Sequence, residues 1–323
     1  MSARSFQRIS ALKTQKMTMS RRSLMKLLGP TAASAITANP LRDLMTLVGL
    51  AAATTTPTQA IAASERTAEL FYTDTGKGKN VMLLHGWSCD SHDWSWQLPA
   101  LESRYRVVAI DLRGHGRSEV MPSGNYRPDD YVADIETLIK TKFSSETFVL
   151  VGHSMGGQIA AHLANKRPDL IEGVVSVDGS LGFSDKLAYT FQKAVDDLQY
   201  GNIADVGPAL FAGFYDKATD PALKRWHARR LQGTSVYPVR ESFGPLFFGP
   251  NQVGLGKQSE AFCKTINIPF YHLCRGKGQA ERMRTWFSHP KSKVDLWETA
   301  GHWIMQDRKD DVNASIITWL DTL

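Results

Sequence analysis

Cysteine is scarce in this chain: its 323 residues hold only Cys89, Cys263 and Cys274. Three widely separated thiols cannot build a disulfide framework, and they do not repeat at zinc-ligand spacing. Cys263 and Cys274 are the one pair open to oxidation after export, although Cys274, in an apolar strand pattern, suits a small core position better. Long hydrophobic runs are missing too. The apolar stretch near the N-terminus is broken by Pro30, Pro40 and Arg42-Asp43, which excludes a transmembrane span of ordinary length. His92, His162, His227, His272 and His289 follow no metal-ligand spacing, so neither a metal nor a cofactor is expected. Internal repeats, low-complexity segments and a dinucleotide fingerprint are absent. Oligomeric state leaves no mark on the sequence.

Excess positive charge is also missing from most of the chain, despite its net +6. Residues 1–62 carry eight Lys and Arg against the single acid Asp43, a net +7, so the remaining 261 residues sum to −1. The basic character belongs to this leader, and the body shows no electrostatic footprint for nucleic acid. Within the leader, Ser20-Arg21-Arg22-Ser23-Leu24-Met25-Lys26 matches a twin-arginine export signal, and Ala60-Ile61-Ala62 offers a small-x-small cleavage site. Export to the periplasm or cell exterior is therefore expected. An acid-poor organelle transit peptide, or a cytoplasmic protein starting at Met17 or Met19, remains the alternative.

What the body does contain is concentrated in Phe148-Val149-Leu150-Val151-Gly152-His153-Ser154-Met155-Gly156-Gly157. A β-branched apolar run feeds into Gly-x-Ser-x-Gly, and Gly157 to Ala164 then reads as a helix. A serine on so tight a strand-to-helix turn needs small flanking residues. Its hydroxyl then stands clear of the sheet at a helix N-terminus, where developing negative charge is favoured. Ser154 is thus the candidate nucleophile. Upstream, the strand pattern Asn80-Val81-Met82-Leu83-Leu84 ends in His85-Gly86-Trp87, a turn that can aim the Trp87 N–H at a bound carbonyl oxygen. With the Met155 N–H it makes a two-donor oxyanion hole. Near the C-terminus the strand pattern Val294 to Glu298 leads into Thr299-Ala300-Gly301-His302-Trp303, which places His302 as the candidate general base.

These motifs resemble the α/β-hydrolase superfamily, in particular its esterases, perhydrolases, lactonases and C–C hydrolases. Asp111-Leu112-Arg113-Gly114-His115-Gly116-Arg117-Ser118, after the strand Tyr105 to Ile110, is a further signature of that group. The resemblance covers roughly residues 66 to 323. It implies an α/β fold with a mostly parallel central sheet flanked by helices, and a helical cap inserted between the sixth and seventh strands. The expected division is a leader over 1–62, a first core part over 63–180, a cap over 181–265 and a second core part over 266–323. Asp111 is expected to order its loop, and His85, His115 and His153 to shape the site through hydrogen bonds.

One departure from the family pattern matters. Relatives carry the triad acid on the loop after the seventh strand, here Pro269 to Cys274, but the matching slot holds Gln279. An amide carries no charge to stabilise an imidazolium, and losing that carboxylate costs roughly 10⁴ in turnover. Asp178, at the end of the sixth strand (Ile171 to Val177), is the first substitute, and Glu281 the second. The cap sequence, from Leu181 to Lys264, is rich in aromatics: Phe183, Tyr189, Phe191, Tyr200, Phe211, Phe214, Tyr215, Trp226, Tyr237, Phe243, Phe247 and Phe248, most of them expected as core between cap helices. Some of these rings should line an apolar pocket, which suggests an uncharged, hydrophobic small-molecule substrate. Lys224, Arg229 and Arg230 read as solvated helix charges, with a carboxylate clamp as the alternative.

The resemblance implies hydrolysis of an ester, lactone or similar acyl bond through an acyl-enzyme, with Ser154, His302 and Asp178 as triad and Trp87 and Met155 as oxyanion donors. The alternative is a cofactor-independent dioxygenase. The His85-Gly86-Trp87 start, the histidine before Ser154 and the acid after the sixth strand also resemble quinaldone dioxygenases, in which a His–Asp pair is the base. Against that stands Met155-Gly156-Gly157, the ordinary hydrolase continuation.

Overall fold

A computed structural model describes residues 66–323. The twin-arginine pair, the proposed cleavage site and the rest of the leader lie outside the described residues. Seven strands form one sheet in the order β1-β3-β2-β4-β5-β6-β7. They are β1 (Tyr72–Gly76), β2 (Asn80–Leu84), β3 (Arg106–Ile110), β4 (Phe148–His153), β5 (Ile171–Val177), β6 (Phe270–Cys274) and β7 (Lys293–Leu296). Only β1 is antiparallel to its neighbour; the other pairs are parallel. The strands counted above as sixth and seventh are therefore β5 and β6 among the described residues.

β4 is buried along its whole length and β2 from Val81 onward, as parallel strands covered on both faces require. That is why both read as continuous apolar runs rather than alternating ones. The chain steps from β2 to β3 on one side and later returns to β4 on the other, so the loops after β2 and β4 part at a topological switch point. In open parallel sheets a crevice forms there, at the carboxyl ends of the strands.

The helices of the core are α1 (Leu98–Glu102), α2 (Pro128–Lys142) and α3 (Met155–Lys166). α2 carries Pro128 in its first turn with Asp129 and Asp130, and Lys140 and Lys142 in its last turn, charges that suit the helix dipole at both ends. Its Asp134 holds Arg113 of the β3 loop in a buried two-point ion pair, with Nε–Oδ2 at 2.5 Å and Nη2–Oδ1 at 2.6 Å. Asp111 accepts the Ser91 and Arg117 amides and so orders the same loop.

Between β5 and β6 lie α4 (Ala188–Tyr200), α5 (Ile203–Ala212), α6 (Pro221–Gly233), α7 (Val236–Glu241) and α8 (Gly256–Cys263). The remaining helices are α9 (Lys277–Met283), α10 (Ile304–Asp307) and α11 (Lys309–Leu320). Phe191 of α4 stacks on Phe247 at 4.0 Å between centroids, and Phe243 meets both Trp87 and Phe247 edge-on. α8 sets Phe262 against His162 of α3. Cys89, Cys263 and Cys274 are all buried free thiols, so Cys263 and Cys274 form no disulfide. No helix among the described residues is long and apolar enough to cross a membrane.

Arg230 departs from the sequence expectation. It is not a solvated charge: its side chain is 8% exposed and reaches from α6 to Asp93 at 2.6 Å and Asp90 at 3.3 Å. Asp93 also accepts the Trp303 indole N–H at 3.0 Å. Burial is the largest single influence and would raise the Asp93 pKa, but the charge of Arg230, together with His227, His153 and the Cys89 hydrogen bond, outweighs it and holds the carboxyl well below its usual range. The signal was present in α6, where Leu223, His227 and Leu231 form the buried stripe and Arg230 follows His227 by three residues on that side.

Candidate active site

Ser154 stands between β4 and α3 with φ 52° and ψ −115°, a backbone conformation that costs a non-glycine residue about 1–3 kcal/mol. The flanking glycines allow it. A Cβ on Gly152 would lie 2.3 Å from the Gly156 carbonyl oxygen, and one on Gly156 would lie 2.4 Å from that of Leu84. The Ser154 side chain does not cap α3, so its hydroxyl is not spent on the helix it starts. Met155 opens α3, and the first amides of a helix have no intrahelical partner. Among the described residues the Trp87 backbone N–H takes no backbone acceptor, while its indole N–H donates to the Val239 carbonyl of α7 at 3.1 Å.

The loop after β7 delivers His302. Its own N–H donates to the Phe214 carbonyl at 2.7 Å, and its carbonyl accepts His153 Nε2–H at 3.0 Å. One peptide is thus tied to the cap on one side and to the elbow on the other. His302 Nδ1 donates to Asp178 Oδ2 at 2.6 Å, which makes Nε2 the acceptor nitrogen of the neutral ring. His153 is fully buried, and burial first, then the nearby His302, lowers its pKa to about 3, so it is a neutral spacer.

Asp178 follows β5 with φ 43°, and its N–H donates to the Leu273 carbonyl at 2.7 Å, which fixes the turn. Its Oδ2 also takes Arg275 Nε at 2.7 Å. Burial would raise the Asp178 pKa, yet the hydrogen bond and charge of His302, with the charge of Arg275, hold it well below the carboxylate range. It therefore faces His302 as an anion. Gln279 turns away, donating to the Leu181 carbonyl at 2.6 Å, and Glu281 is exposed on α9 with no bond to His302. Of the two substitutes for the missing acid, the structure brings Asp178 to His302 and leaves Glu281 apart.

Ser154, His302, His153 and Trp87 line one cavity of about 90 Å³. Its other walls are Phe183, Phe191, Phe211, Phe214, Phe243 and Phe247, with Leu246, Trp303, Ser180 and Arg275. Sequence reasoning missed Arg275, a cation in direct contact with the acid. Its only sequence signal is its place at the C-terminal end of β6. Among the described residues no cluster of His, Cys, Asp and Glu could hold a metal ion.

Sheet order, the strained Ser154 turn between β4 and α3 and the helices between β5 and β6 together define a class, and comparison with known proteins agrees. A family model of the alpha/beta hydrolase fold matches residues 79–261, more than half of the chain, and the chain belongs to that family. Among curated proteins it is similar to a serine hydrolase-like protein of Danio rerio, 34% identical over 40% of each chain. It is also 42% identical to a non-heme haloperoxidase of Rhodococcus erythropolis over 32% of this chain and 38% of that one. The chain thus spans about two fifths of the length of these relatives. Among solved structures, a thermophilic esterase from Thermogutta terrifontis matches with a TM-score of 0.68 at 22% identity, covering 79% of this chain and 94% of the other. An enol-lactonase from Burkholderia xenovorans matches with a TM-score of 0.67 at 18% identity, covering 79% and 97%. At such identities the structural likeness speaks for the fold.

Proposed function

We propose that this protein is a serine hydrolase acting on an ester, lactone or similar acyl bond of a hydrophobic small molecule. The observation that carries the reading is the His302–Asp178 hydrogen bond at 2.6 Å beside a serine held on a strained elbow in the same cavity. Ser154 Oγ attacks the acyl carbon while His302 Nε2 takes its proton, and the carbonyl oxygen becomes an oxyanion between the Trp87 and Met155 N–H groups. Collapse of that intermediate breaks the bond to the leaving oxygen, which receives the proton from His302. Water then adds to the acyl-serine with the same base and regenerates Ser154. Asp178 stays ionised and stabilises the imidazolium. The aromatic walls exclude water and take the apolar part of the substrate.

The test is covalent as well as kinetic. A fluorophosphonate should label the protein at Ser154, and Ser154→Ala should lose the label together with roughly 10⁴ or more of ester turnover. Full activity in the alanine variant would remove the acyl-enzyme. Oxygen consumption with an aromatic substrate, in place of ester cleavage, would favour the dioxygenase alternative.

A further inference from the structure

Arg275 is the one permanently charged side chain in a cavity otherwise walled by aromatic rings, Leu246 and the neutral polar groups of the site. Its Nε is committed to Asp178, at 2.7 Å, while its two Nη atoms have no protein partner among the described residues. A guanidinium is a rigid fork, so fixing Nε also fixes the direction of the remaining donors. Arg275 and Phe183 belong at the same time to the wall of a second, more open recess of about 370 Å³. That recess is lined further by Arg282, Gln279 and Ser184. Arg282 donates Nη2 to the Gly182 carbonyl at 2.9 Å and has no carboxylate within ion-pair distance among the described residues. The acid of this wall, Asp178, is already engaged by His302 and Arg275. Gln279, in the slot where the resemblance leads one to expect an aspartate, is neutral. The wall of this recess therefore sets two guanidiniums against one carboxylate, Asp178, which is already shared between Arg275 and His302.

We propose that the recess is a carboxylate-binding subsite held by Arg275 and Arg282, and that the substrates are acyl compounds carrying a free carboxylate away from the scissile bond. The subsite rests on the serine-hydrolase reading and deepens it. The hydrophobic middle of the substrate lies against the phenylalanines, its acyl carbon over Ser154, and its carboxylate on the guanidinium forks, where bidentate, charge-assisted hydrogen bonds form. This replaces the uncharged substrate suggested by the aromatic content of the cap alone.

The test compares mono-4-nitrophenyl glutarate with its methyl ester, two substrates that differ in one charge. The wild type should prefer the free acid by about tenfold in kcat/KM, mostly through KM, and about 0.5 M salt should narrow that preference. Arg282→Gln should remove most of the preference and Arg282→Lys should keep part of it. A wild type that favours the methyl ester, or a preference untouched by Arg282→Gln, overturns the subsite while leaving the hydrolase reading standing. Calorimetric titration of glutarate into Ser154→Ala reads the subsite without any turnover, and Arg282→Gln in that background should weaken binding by a similar factor. Glutarate binding that depends on Arg282 in a protein that cleaves neither ester would keep the subsite and sink the hydrolase reading. Inorganic phosphate binding more tightly than glutarate would overturn the assignment to carboxylates.

Discussion

The floor and the roof of the cavity around Ser154 are built on different physical terms. The floor comes from strand ends: Ser154 after β4, Asp178 after β5, Arg275 after β6 and His302 after β7. Ser154 and Asp178 sit at positive-φ turns whose N–H groups donate to Val177 of β5 and Leu273 of β6, and the His302 N–H donates to the Phe214 carbonyl. The roof is made of rings, with Phe191, Phe243 and Phe247 in mutual contact, and such packing tolerates shape change far better than a hydrogen-bond constellation does. The contrast separates tasks. On the proposed mechanism, chemistry belongs to the floor, where sub-ångström placement matters, and selection to the roof and its charged margin.

The sharpest way to break that division is to alter a floor residue without changing its shape. Asp178→Asn should lower turnover by roughly 10²–10⁴ with little change in substrate affinity, because the lost term is stabilisation of the His302 imidazolium in the transition state. Glu281→Gln, exposed on α9, should be silent under the same steady-state assay. A healthy Asp178→Asn beside a dead Glu281→Gln would move the acid to the loop after β6 and contradict the observed His302 contact.

Floor and roof also differ in how far the sequence reveals them. Asn80–Leu84 is read to the residue as β2, and Ser154, His302 and Asp178 announce themselves because each follows an apolar run at a turn of restricted chemistry. Local signals suffice there, since a strand end followed by glycine or serine leaves few geometries. Arg230, expected as a solvated charge, is buried, and Arg275 draws no expectation from the sequence at all, both for the opposite reason. A long charged side chain carries no local mark of burial, and its partner is chosen by tertiary contact: Asp93 lies 137 residues before Arg230 in sequence, and Asp178 lies 97 before Arg275. An apolar pocket lined by some of the cap aromatics is expected from the sequence, but no local feature separates the six phenylalanines that line it from the other cap rings.

Arg230 joins the two halves, so it tests whether the roof depends on the floor. Arg230→Met keeps the bulk of the side chain but leaves Asp93 buried and unpaired. Breaking such a pair by removing one partner costs about 3–5 kcal/mol. A chemical denaturation curve should report that loss. Adding Asp93→Asn should recover part of it, since a neutral amide costs less to bury than a lone carboxylate. No loss in Arg230→Met would mean that α6 rests on the core through ring contacts alone, including the 4.0 Å stack of His227 on Trp303.

Per pH unit, the smallest expected effect is acid sensitivity, and it too divides floor from roof. His85, His115, His153 and His272 are fully buried in the core, His162 lies on α3, and His227 belongs to the cap. Burial is the leading cause in every case. It lowers His85 below its ordinary value, His115 and His153 to about 3, and His162, His227 and His272 to about 4. Above the ordinary pKa of 6.5 these rings are neutral whether the chain is folded or not, so they cost nothing. As pH falls through that value the unfolded chain binds protons that the folded chain refuses. Stability then drops by about 1.4 kcal/mol per pH unit for each such proton, until the folded pKa is reached. Asp178 works in the other window. Its folded pKa is depressed, so its contribution is intact above the ordinary carboxylate value and is lost only below it. Between those two values the histidines set the slope, and calorimetric melts should show Tm flat above neutrality and falling steadily beneath it. His227→Gln removes the one cap histidine of the set, and its melts should fall less steeply by about one proton's worth. An unchanged slope would mean that His227 titrates in the folded cap, and that acid sensitivity resides in the floor alone.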